Sequence, residues 1–390
     1  MKHHEETRVA GAVPLGGYYL IHFATVGIIL PFLPAYYRSL QISPSQVGWL
    51  QAMSPLLMLL APPMWGRLAD RSGRADRVLS AVALGAGLGF LPLLWARAFP
   101  ALLATAVAYA FSASSIPTLA DSLTLRRVEV AGGSYSRLRL FGSIGFVLST
   151  TAFGQMVSKV DARAVWVPLA LMFAAFGWSL TLRARSTPAD GVSPLAGLGL
   201  LRQRDIALLL ACTALHWIAS TPYHGFFAIH AGELGLSPSV VGMGAGLGVV
   251  AEVVVLLVYP ETLGRMQPRH VLSLSFAASA LRWLLMSFVS GPVAMVLVQV
   301  LHGMTFGAFY TASVSALSRR VPPHLRASGQ ALFAAVTFGV GGMIGYPAAG
   351  AGYGALGGHW LFAVAAALEL VPVLLVLRVR PPPPPVVGSA

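Results

Sequence analysis

Twelve apolar stretches, each about twenty residues long, divide this chain, and no other feature limits its fold as strongly. A helix of about 20 mainly apolar residues is long enough to cross a bilayer. The stretches are continuously apolar rather than alternating, which excludes a transmembrane β-barrel. We predict an all-α membrane protein with twelve transmembrane helices, at roughly residues 14–37, 45–65, 78–97, 100–125, 138–159, 163–182, 204–230, 239–260, 270–290, 292–317, 328–350 and 355–377.

Composition and charge agree with that class. The chain has 390 residues, of which 56% are hydrophobic and 10% charged, whereas soluble domains are about 25% charged. The net charge of +13 does not indicate nucleic-acid binding, because the basic residues form short clusters between the apolar stretches. Of the 26 Lys and Arg residues, 21 lie on the N-terminal side of the membrane, four lie on the other side, and Arg282 lies within a span. This bias predicts cytoplasmic N and C termini in a bacterial inner membrane.

The longest segment between spans, residues 184–203, splits the spans six and six. We therefore predict two six-helix bundles, at residues 1–183 and 204–380, followed by a Pro-rich cytoplasmic tail at 381–390. The pattern Ser-Pro-Ser-x-Val-Gly occurs at residues 43–48 and again at 237–242. Ser at an N-cap followed by Pro favours a helix start, so the recurrence indicates either two similar helix starts or a duplicated half.

The loop between the second and third spans reads GRLADRSGR, at residues 66–74. It resembles the cytoplasmic loop motif of the major facilitator superfamily, a fold of two six-helix bundles related by pseudo-two-fold symmetry. We predict a conformational role for its members: Gly66 for close helix approach, Asp70 to cap a helix start, and Arg71 and Arg74 to pair across the loop, with Gly73 between them. A basic loop that only sets topology is the alternative.

Further blocks of sequence resemble the phenylpropionate permease family, a relative of the lactose and nucleoside proton symporters. These blocks are residues 119–123, 135–143, 248–253, 282–283 and 299–306. The resemblance implies a proton-coupled symporter of a small organic solute, such as an aromatic acid, that works as a monomer in lipid. A proton-antiport exporter of drugs or metabolites and a sugar or nucleoside symporter are the alternatives within this fold.

Three ionisable residues lie midway along successive spans: Glu252 in the eighth, Arg282 in the ninth and His302 in the tenth. A charge at such depth costs about 2.5–3.5 kcal/mol, so it usually serves function. Burial favours the neutral carboxyl and a nearby cation favours the ionised one. We predict that the three meet in one cavity and couple proton and solute movement. A static ion pair that orders the bundle is the alternative.

The resemblance to lactose permease implies the same roles, because an acid, an Arg and a His on these three helices serve proton coupling and substrate binding there. That permease also has an acid in its tenth span, which this chain lacks near His302. Glu252 is therefore our first choice for the proton carrier and His302 our second. Glu369, in the twelfth span, has only Arg378 as an evident basic neighbour, and we expect a structural role that shields it from lipid.

The remaining candidates are substrate contacts. Asp121 and Arg139 lie on the cytoplasmic side of spans four and five, where the resembled permeases turn an acid and an Arg towards the cavity. Arg139 could clamp a carboxylate bidentately. A rim ion pair between Asp121 and Arg126, Arg127 or Arg137 is the alternative.

Polar and aromatic residues share single helix faces on three spans, and interhelix packing is the other explanation for them. The members are Tyr18 and His22 on the first span, His216, Ser220 and Tyr223 on the seventh, and Gln299, His302 and Phe306 on the tenth.

Other function classes find little support. The single cysteine, Cys212, excludes an intramolecular disulfide and a Cys-based metal cluster. The glycine-rich stretches lie inside apolar spans, without a preceding strand or a P-loop signature, so no nucleotide is expected. We expect no cofactor, no metal and no enzymatic activity. A membrane-embedded enzyme or a receptor that binds solute without carrying it is the competing class.

Overall fold

The structure is a computed structural model that describes residues 9–185, 197–322 and 325–381. The predicted tail from residue 382 onward, the N-terminal residues 1–8 and most of the predicted linker, 186–196, lie outside the described residues. Helices dominate both halves of the chain. Those of the N-terminal half are α1 (Ala12–Ser39), α2 (Pro44–Ser72), α3 (Ala75–Phe90), α4 (Phe99–Ala113), α5 (Ile116–Ala131), α6 (Tyr135–Met156) and α7 (Arg163–Ser179).

The helices of the C-terminal half are less regular. They are α8 (Arg204–Glu233), α9 (Pro238–Val258), α10 (Pro268–Met286), α11 (Pro292–Leu297), α12 (Phe309–Ser318), α13 (Arg326–Ala334) and α14 (Gly341–Leu375). A π-helical segment, Gly303–Ala308, precedes α12, and a second one, Ala335–Val340, joins α13 to α14. Such π segments are rare and occur often at functional sites.

The described helices supply the twelve predicted crossings. Eight helical stretches are long and apolar enough to span a membrane, and α7 is a shorter apolar helix of 17 residues. The last stretch, Arg326–Arg378, has 53 residues, which is too long for one crossing. It divides at Gly357, whose φ of 75° interrupts the helix. The remaining two crossings are α6 and α10, which carry charged side chains within the spans.

The two Ser-Pro-Ser-x-Val-Gly repeats start helices, as predicted. α2 begins at Pro44, and Ser43 forms a capping box in which its hydroxyl accepts from the Gln46 N–H. α9 begins at Pro238 after Ser237 in the same extended conformation. Proline at the first helical position suits both starts, because its missing N–H would have no helical partner there.

The final glycine of each repeat makes a contact that the sequence alone did not reveal. Gly48 of α2 lies against α14, where an added methyl group would overlap the Tyr346 carbonyl oxygen and sit 3.2 Å from the Gly350 Cα. Gly242 of α9 lies against α6, where a methyl group would overlap the Thr150 carbonyl oxygen. Only glycine allows backbones to approach this closely. Each repeat therefore brings its helix against the opposite half of the chain.

The loop motif differs from the prediction in three respects. Gly66 has open space where a side chain would project, so it brings no helix close. Asp70 lies in the last turn of α2 and caps no helix start; its carbonyl accepts from Gly73, which ends α2 at a φ of 63°. Arg71 is exposed in that same last turn. The predicted α2 boundary near residue 65 was too early because the motif itself is helical.

Arg74 forms its ion pair with Asp76, only two residues further along the chain. Its Nε lies 3.1 Å from the Asp76 carboxylate, in the first turn of α3. The other oxygen of Asp76 accepts from the Ala184 N–H at 3.3 Å. One turn further along α3, Ser80 accepts a hydrogen bond from Ser179 at 2.8 Å. Asp76, which we did not single out in the sequence, thus connects the loop to the end of the N-terminal bundle.

Candidate functional site

Arg282 is the centre of a buried polar network in the C-terminal half. It lies on α10 with only 1% of its surface exposed. Its guanidinium donates to three neutral acceptors, all on the segment from Gln299 to Thr305: the Gln299 amide oxygen at 2.5 Å, the Thr305 hydroxyl at 2.9 Å and the His302 Nδ1 at 3.0 Å. Within the described residues, no carboxylate forms a salt bridge with Arg282. The described side-chain acceptors of this buried cation are therefore all neutral.

Aromatic faces complete the surroundings of this guanidinium. Its central carbon lies 4.2 Å from the Tyr223 ring centroid and 4.7 Å from that of Trp283. A cation over an aromatic ring is stabilised by about 0.5–2 kcal/mol, more when water is excluded. Tyr223 also stacks on Phe227 at 5.1 Å. The site therefore combines a positive charge with flat apolar walls.

Glu252 and His302 extend the network towards the surface. The Glu252 carboxylate lies 3.8 Å from the His302 Nε2, and its side chain is 22% exposed. Arg282 can only donate, so the His302 Nδ1 must accept and the ring proton must sit on Nε2, facing Glu252. The structure thus brings Glu252, Arg282 and His302 together on three helices, as the sequence predicted. Their role in proton coupling stays a prediction.

The π-helical segment gives this network a second branch. In a regular α-helix the Phe309 N–H would bond to the Thr305 carbonyl. Here it bonds to the carbonyls of Met304 and Phe306. The Thr305 carbonyl instead lies 3.1 Å from the Nε2 of His216, while its hydroxyl accepts from Arg282. Thr305 therefore joins the Arg282 cluster to helix α8.

Glu369 has a partner that sequence reasoning missed. Its Oε1 lies 2.8 Å from the Nδ1 of His216, and Trp283 Nε1 donates to the same oxygen at 3.3 Å. Both members of the pair are closed to solvent, at 0% and 1% exposure. The expected neighbour, Arg378, lies beyond the end of α14. The sequence signal that could have predicted this contact is the presence of one ionisable residue midway along the seventh span and another midway along the twelfth.

The N-terminal half holds a smaller and more open cluster. The Tyr19 hydroxyl donates to Asp121 at 2.5 Å and contacts the Thr124 hydroxyl at 3.1 Å. Arg139 stacks over the Phe23 ring at 4.0 Å and lies 5.6 Å from the Tyr19 ring. Among the described residues no arginine forms a salt bridge with Asp121, so the rim ion pair considered above is not formed.

The clusters of the two halves face each other. Arg139 of α6 attracts Glu252 of α9 electrostatically, and these two helices pack together. Tyr310 of α12 interacts electrostatically with both Asp121 and Arg139. The other predicted substrate contacts are more enclosed. Tyr18 is fully buried, and His22 stacks parallel to it at 6.1 Å. Gln299 is also fully buried, and its amide oxygen accepts from Arg282.

The described residues contain no group of three or more His, Cys, Asp or Glu side chains that could hold a metal ion. The network around Arg282 and Glu369 lies within the C-terminal half, and Glu252 and Arg139 lie on α9 and α6, which pack together from the two halves.

Comparison with known proteins agrees with this description. Residues 13–364 match the family described as the MFS_1 like family. This chain belongs to the MFS_1 like family. Its members belong to the major facilitator superfamily, so the chain is a multi-pass membrane transporter and not an enzyme.

Individual relatives cover most of the chain. It is 28% identical over 375 residues to a probable 3-phenylpropionic acid transporter of Escherichia coli (strain K12), covering 93% of this chain and 96% of that protein. It is 26% identical over 338 residues to the uncharacterized transporter YwbF of Bacillus subtilis (strain 168), covering 84% and 83%. The crystal structure of the nucleoside transporter NupG superposes with a TM-score of 0.84 at 17% identity, covering 94% of this chain and 98% of that one. The predicted all-α major facilitator fold is thereby confirmed.

Proposed function

We propose that this transporter carries a small organic anion, of the aromatic carboxylic acid class, together with a proton. The observation that carries the proposal is Arg282, a buried guanidinium with neutral hydrogen-bond partners and no carboxylate partner among the described residues. An unpaired buried charge is costly, and a solute carboxylate would relieve that cost. The relative named as a probable 3-phenylpropionic acid transporter supports an aromatic acid.

The surroundings of Arg282 favour an aromatic rather than an aliphatic anion. Tyr223 and Trp283 offer ring faces next to the charge. Aromatic pairs contribute about 0.5–1.5 kcal/mol beyond the area that they bury. On the opposite half, Arg139 lies on Phe23 and faces Glu252. A carboxylate held by one arginine and a ring held between aromatic side chains would span the space between the halves.

Glu252 is better suited than His302 to exchange the proton. The His302 Nδ1 accepts from Arg282, so a second proton on this ring would break that bond and place two cations side by side. Glu252 is partly exposed and faces the Nε2 of His302 and the charge of Arg139. Protonation of Glu252 weakens its attraction to Arg139, which links the proton to the contact between the two halves.

We further propose alternating access by rocking of residues 1–183 against 204–380, with both termini cytoplasmic. The close contacts of Gly48 and Gly242 lie at the starts of α2 and α9, next to the loops predicted to be periplasmic. Their tightness supports a conformation closed on that side. The test uses a Cys212→Ala background with a single cysteine at Arg71 or at Ser237. We expect membrane-impermeant maleimide to label the second from outside and the first only after permeabilisation.

The central experiment is uptake of 3-phenylpropionate into proteoliposomes under a proton gradient. We expect accumulation that collapses with a protonophore, and no accumulation of the neutral 3-phenylpropanamide. Glu252→Gln should abolish accumulation yet preserve exchange of labelled for unlabelled solute. Arg282→Gln should abolish both. Arg163→Gln, which removes an exposed pair with Asp161 at 2.9 Å far from the Arg282 network, is the matched control.

Each result has a distinct meaning. Accumulation by Glu252→Gln at the wild-type level would remove Glu252 from coupling. Uptake of the amide as fast as the acid would remove the anion requirement. Protons that leave the vesicle as the solute enters would indicate antiport, the exporter alternative. Saturable binding without transport would favour a receptor.

A further inference from the structure

We infer that His216 and Glu369 share one proton and form a second proton site, whose affinity for that proton depends on whether an anion occupies Arg282. This inference rests on the proposed function for its coupling to solute. The existence of the site rests on the hydrogen bonds of the pair. The pair joins α8 to α14 behind the aromatic wall of Trp283.

The hydrogen bonds fix how many protons the pair holds. The Nε2 of His216 faces the Thr305 carbonyl at 3.1 Å. A carbonyl can only accept, so Nε2 carries a proton. The Nδ1 lies 2.8 Å from the Glu369 oxygen, and a hydrogen bond of that length requires a proton between the two atoms. That proton lies either on Nδ1, giving imidazolium and carboxylate, or on the oxygen, giving neutral imidazole and carboxylic acid.

Both forms contain the same number of protons and have zero net charge. Removing the shared proton leaves a neutral imidazole, a carboxylate and a net charge of −1. The lone pairs of Nδ1 and Oε1 would then face each other, so the side chains of His216 and Glu369 must move apart. The aromatic rings of Phe276 and Phe309 lie 5.1 and 4.2 Å from the imidazole and exclude water from it. Loss of the proton is therefore a structural event as well as a change of charge.

Thr305 connects this site to the solute site. Its carbonyl holds His216 and its hydroxyl holds Arg282, and Trp283 contacts both the guanidinium and Glu369. While Arg282 has no anion, its positive charge favours loss of the shared proton, because the deprotonated pair supplies a compensating negative charge. When a solute carboxylate binds Arg282, that compensation is no longer needed and the pair regains its proton. Anion and proton therefore favour each other, which is the thermodynamic requirement for symport.

Other titratable groups lie near His216 and Glu369 and affect the charge that the pair can carry. From the helices packed around the pair these are Tyr223 and His224 of α8, Arg282 of α10, and His302 of the tenth span. Three of them can carry positive charge, and each such charge opposes a second cation at His216. Arg282 is the one that a bound anion neutralises, so it is the one through which solute reaches the pair.

The test is infrared difference spectroscopy of the full-length protein in lipid, recorded across a pH titration without solute. Whichever atom holds the shared proton, deprotonation changes either the carboxyl or the imidazolium bands. We expect the same difference bands to disappear in both Glu369→Gln and His216→Gln. The control is Glu252→Gln, which removes a carboxyl on the exposed side of the network and should retain the difference bands. Bands that persist in both variants, or vanish in only one, would overturn a shared proton.

A second titration with 3-phenylpropionate tests the coupling. We expect the anion to raise the proton affinity of the pair by about 5- to 150-fold, the usual range of allosteric coupling. Arg282→Gln should remove this shift and keep the bands. A pair that titrates without responding to the anion would confirm the site and refute its coupling. If 3-phenylpropionate is neither bound nor transported, the proposed function fails while the solute-free titration still decides on the site.

Folding of the variants can be separated from titration. Glu369→Asp keeps an ionisable carboxyl on a shorter side chain, so in a folded protein it should move the bands rather than delete them. In transport, Glu369→Gln should lose accumulation and retain exchange. Wild-type accumulation in a folded Glu369→Gln protein would overturn the coupling role, whereas absence of proton-driven uptake in the wild type would overturn the proposed function instead.

Discussion

The polar clusters of the two halves of this transporter differ in how far they are exposed to solvent. In the N-terminal half, Asp121 and Arg139 are partly exposed, and an aromatic ring or a tyrosine hydroxyl is their main described contact. In the C-terminal half, Arg282 and Glu369 are closed to solvent and held by connected hydrogen bonds. An exposed charge interacts weakly but can rearrange, while a buried one is strongly constrained.

This difference suggests a division of work. The buried network changes its energy steeply when one proton or one anion is added, because little water screens it. It is therefore suited to couple the two. The open cluster of the N-terminal half can meet solutes of different shape with small cost. We expect variants of the C-terminal half to affect coupling and stability, and those of the N-terminal half to affect solute preference.

The largest effect should come from breaking the buried pair. Glu369→Ala leaves His216 without its partner, and loss of one member of a buried pair destabilises by about 3–5 kcal/mol. Thermal unfolding in detergent measures this change. The double variant His216→Phe with Glu369→Leu should recover most of the stability, because packed apolar residues often replace a buried pair without loss. It should still lack coupled accumulation. A double variant as unstable as the single one would contradict this account of the pair.

The next effect compares the two arginines directly. Arg282→Gln removes hydrogen bonds to a charged group, each worth about 1.5–3 kcal/mol, so we expect solute affinity to fall about 10- to 150-fold. Arg139→Gln should reduce affinity less, because its guanidinium is partly hydrated and stacked on Phe23. Equilibrium binding of 3-phenylpropionate to the purified variants measures both. Equal losses at the two positions would remove the proposed distinction between the halves.

Much of this molecule follows from the chain alone. The number of spans, their six-and-six division and the resemblance of the loop motif predicted the fold, and the positions of Glu252, Arg282 and His302 along their spans predicted that these side chains meet. The contact of Glu369 with His216 could not be derived in the same way, because it depends on how α14 rotates against α8. The π segment at Gly303–Ala308 was equally hidden, since nothing in its composition distinguishes it from a regular apolar helix.

The loop motif illustrates a different limit. The residues of the motif identified a superfamily, but the roles that we predicted for Gly66 and Asp70 were wrong for the described conformation. A glycine permits close approach only where another helix is present, and Gly66 meets none. Conversely, the glycines ending the two Ser-Pro-Ser repeats were considered only for the helix starts before them. Their contact with the opposite half depends on the packing of α2 on α14 and of α9 on α6.

The smallest expected effect concerns Gly48 and Gly242, and it tests whether the equivalent contacts of the two halves behave in the same way. Gly48→Ala and Gly242→Ala each place a methyl group against a carbonyl oxygen of the other half, and such overpacking typically costs about 1–3 kcal/mol. We expect each variant to destabilise the described conformation and to raise maleimide labelling of the single cysteine at Ser237, on the side predicted to be periplasmic. Gly66→Ala is the matched control, because its methyl group meets open space and alanine favours a helix by up to about 1 kcal/mol. If Gly48→Ala and Gly242→Ala shifted labelling in opposite directions, the contact of α2 with α14 would not be equivalent to that of α9 with α6. The halves would then differ in packing as well as in charge.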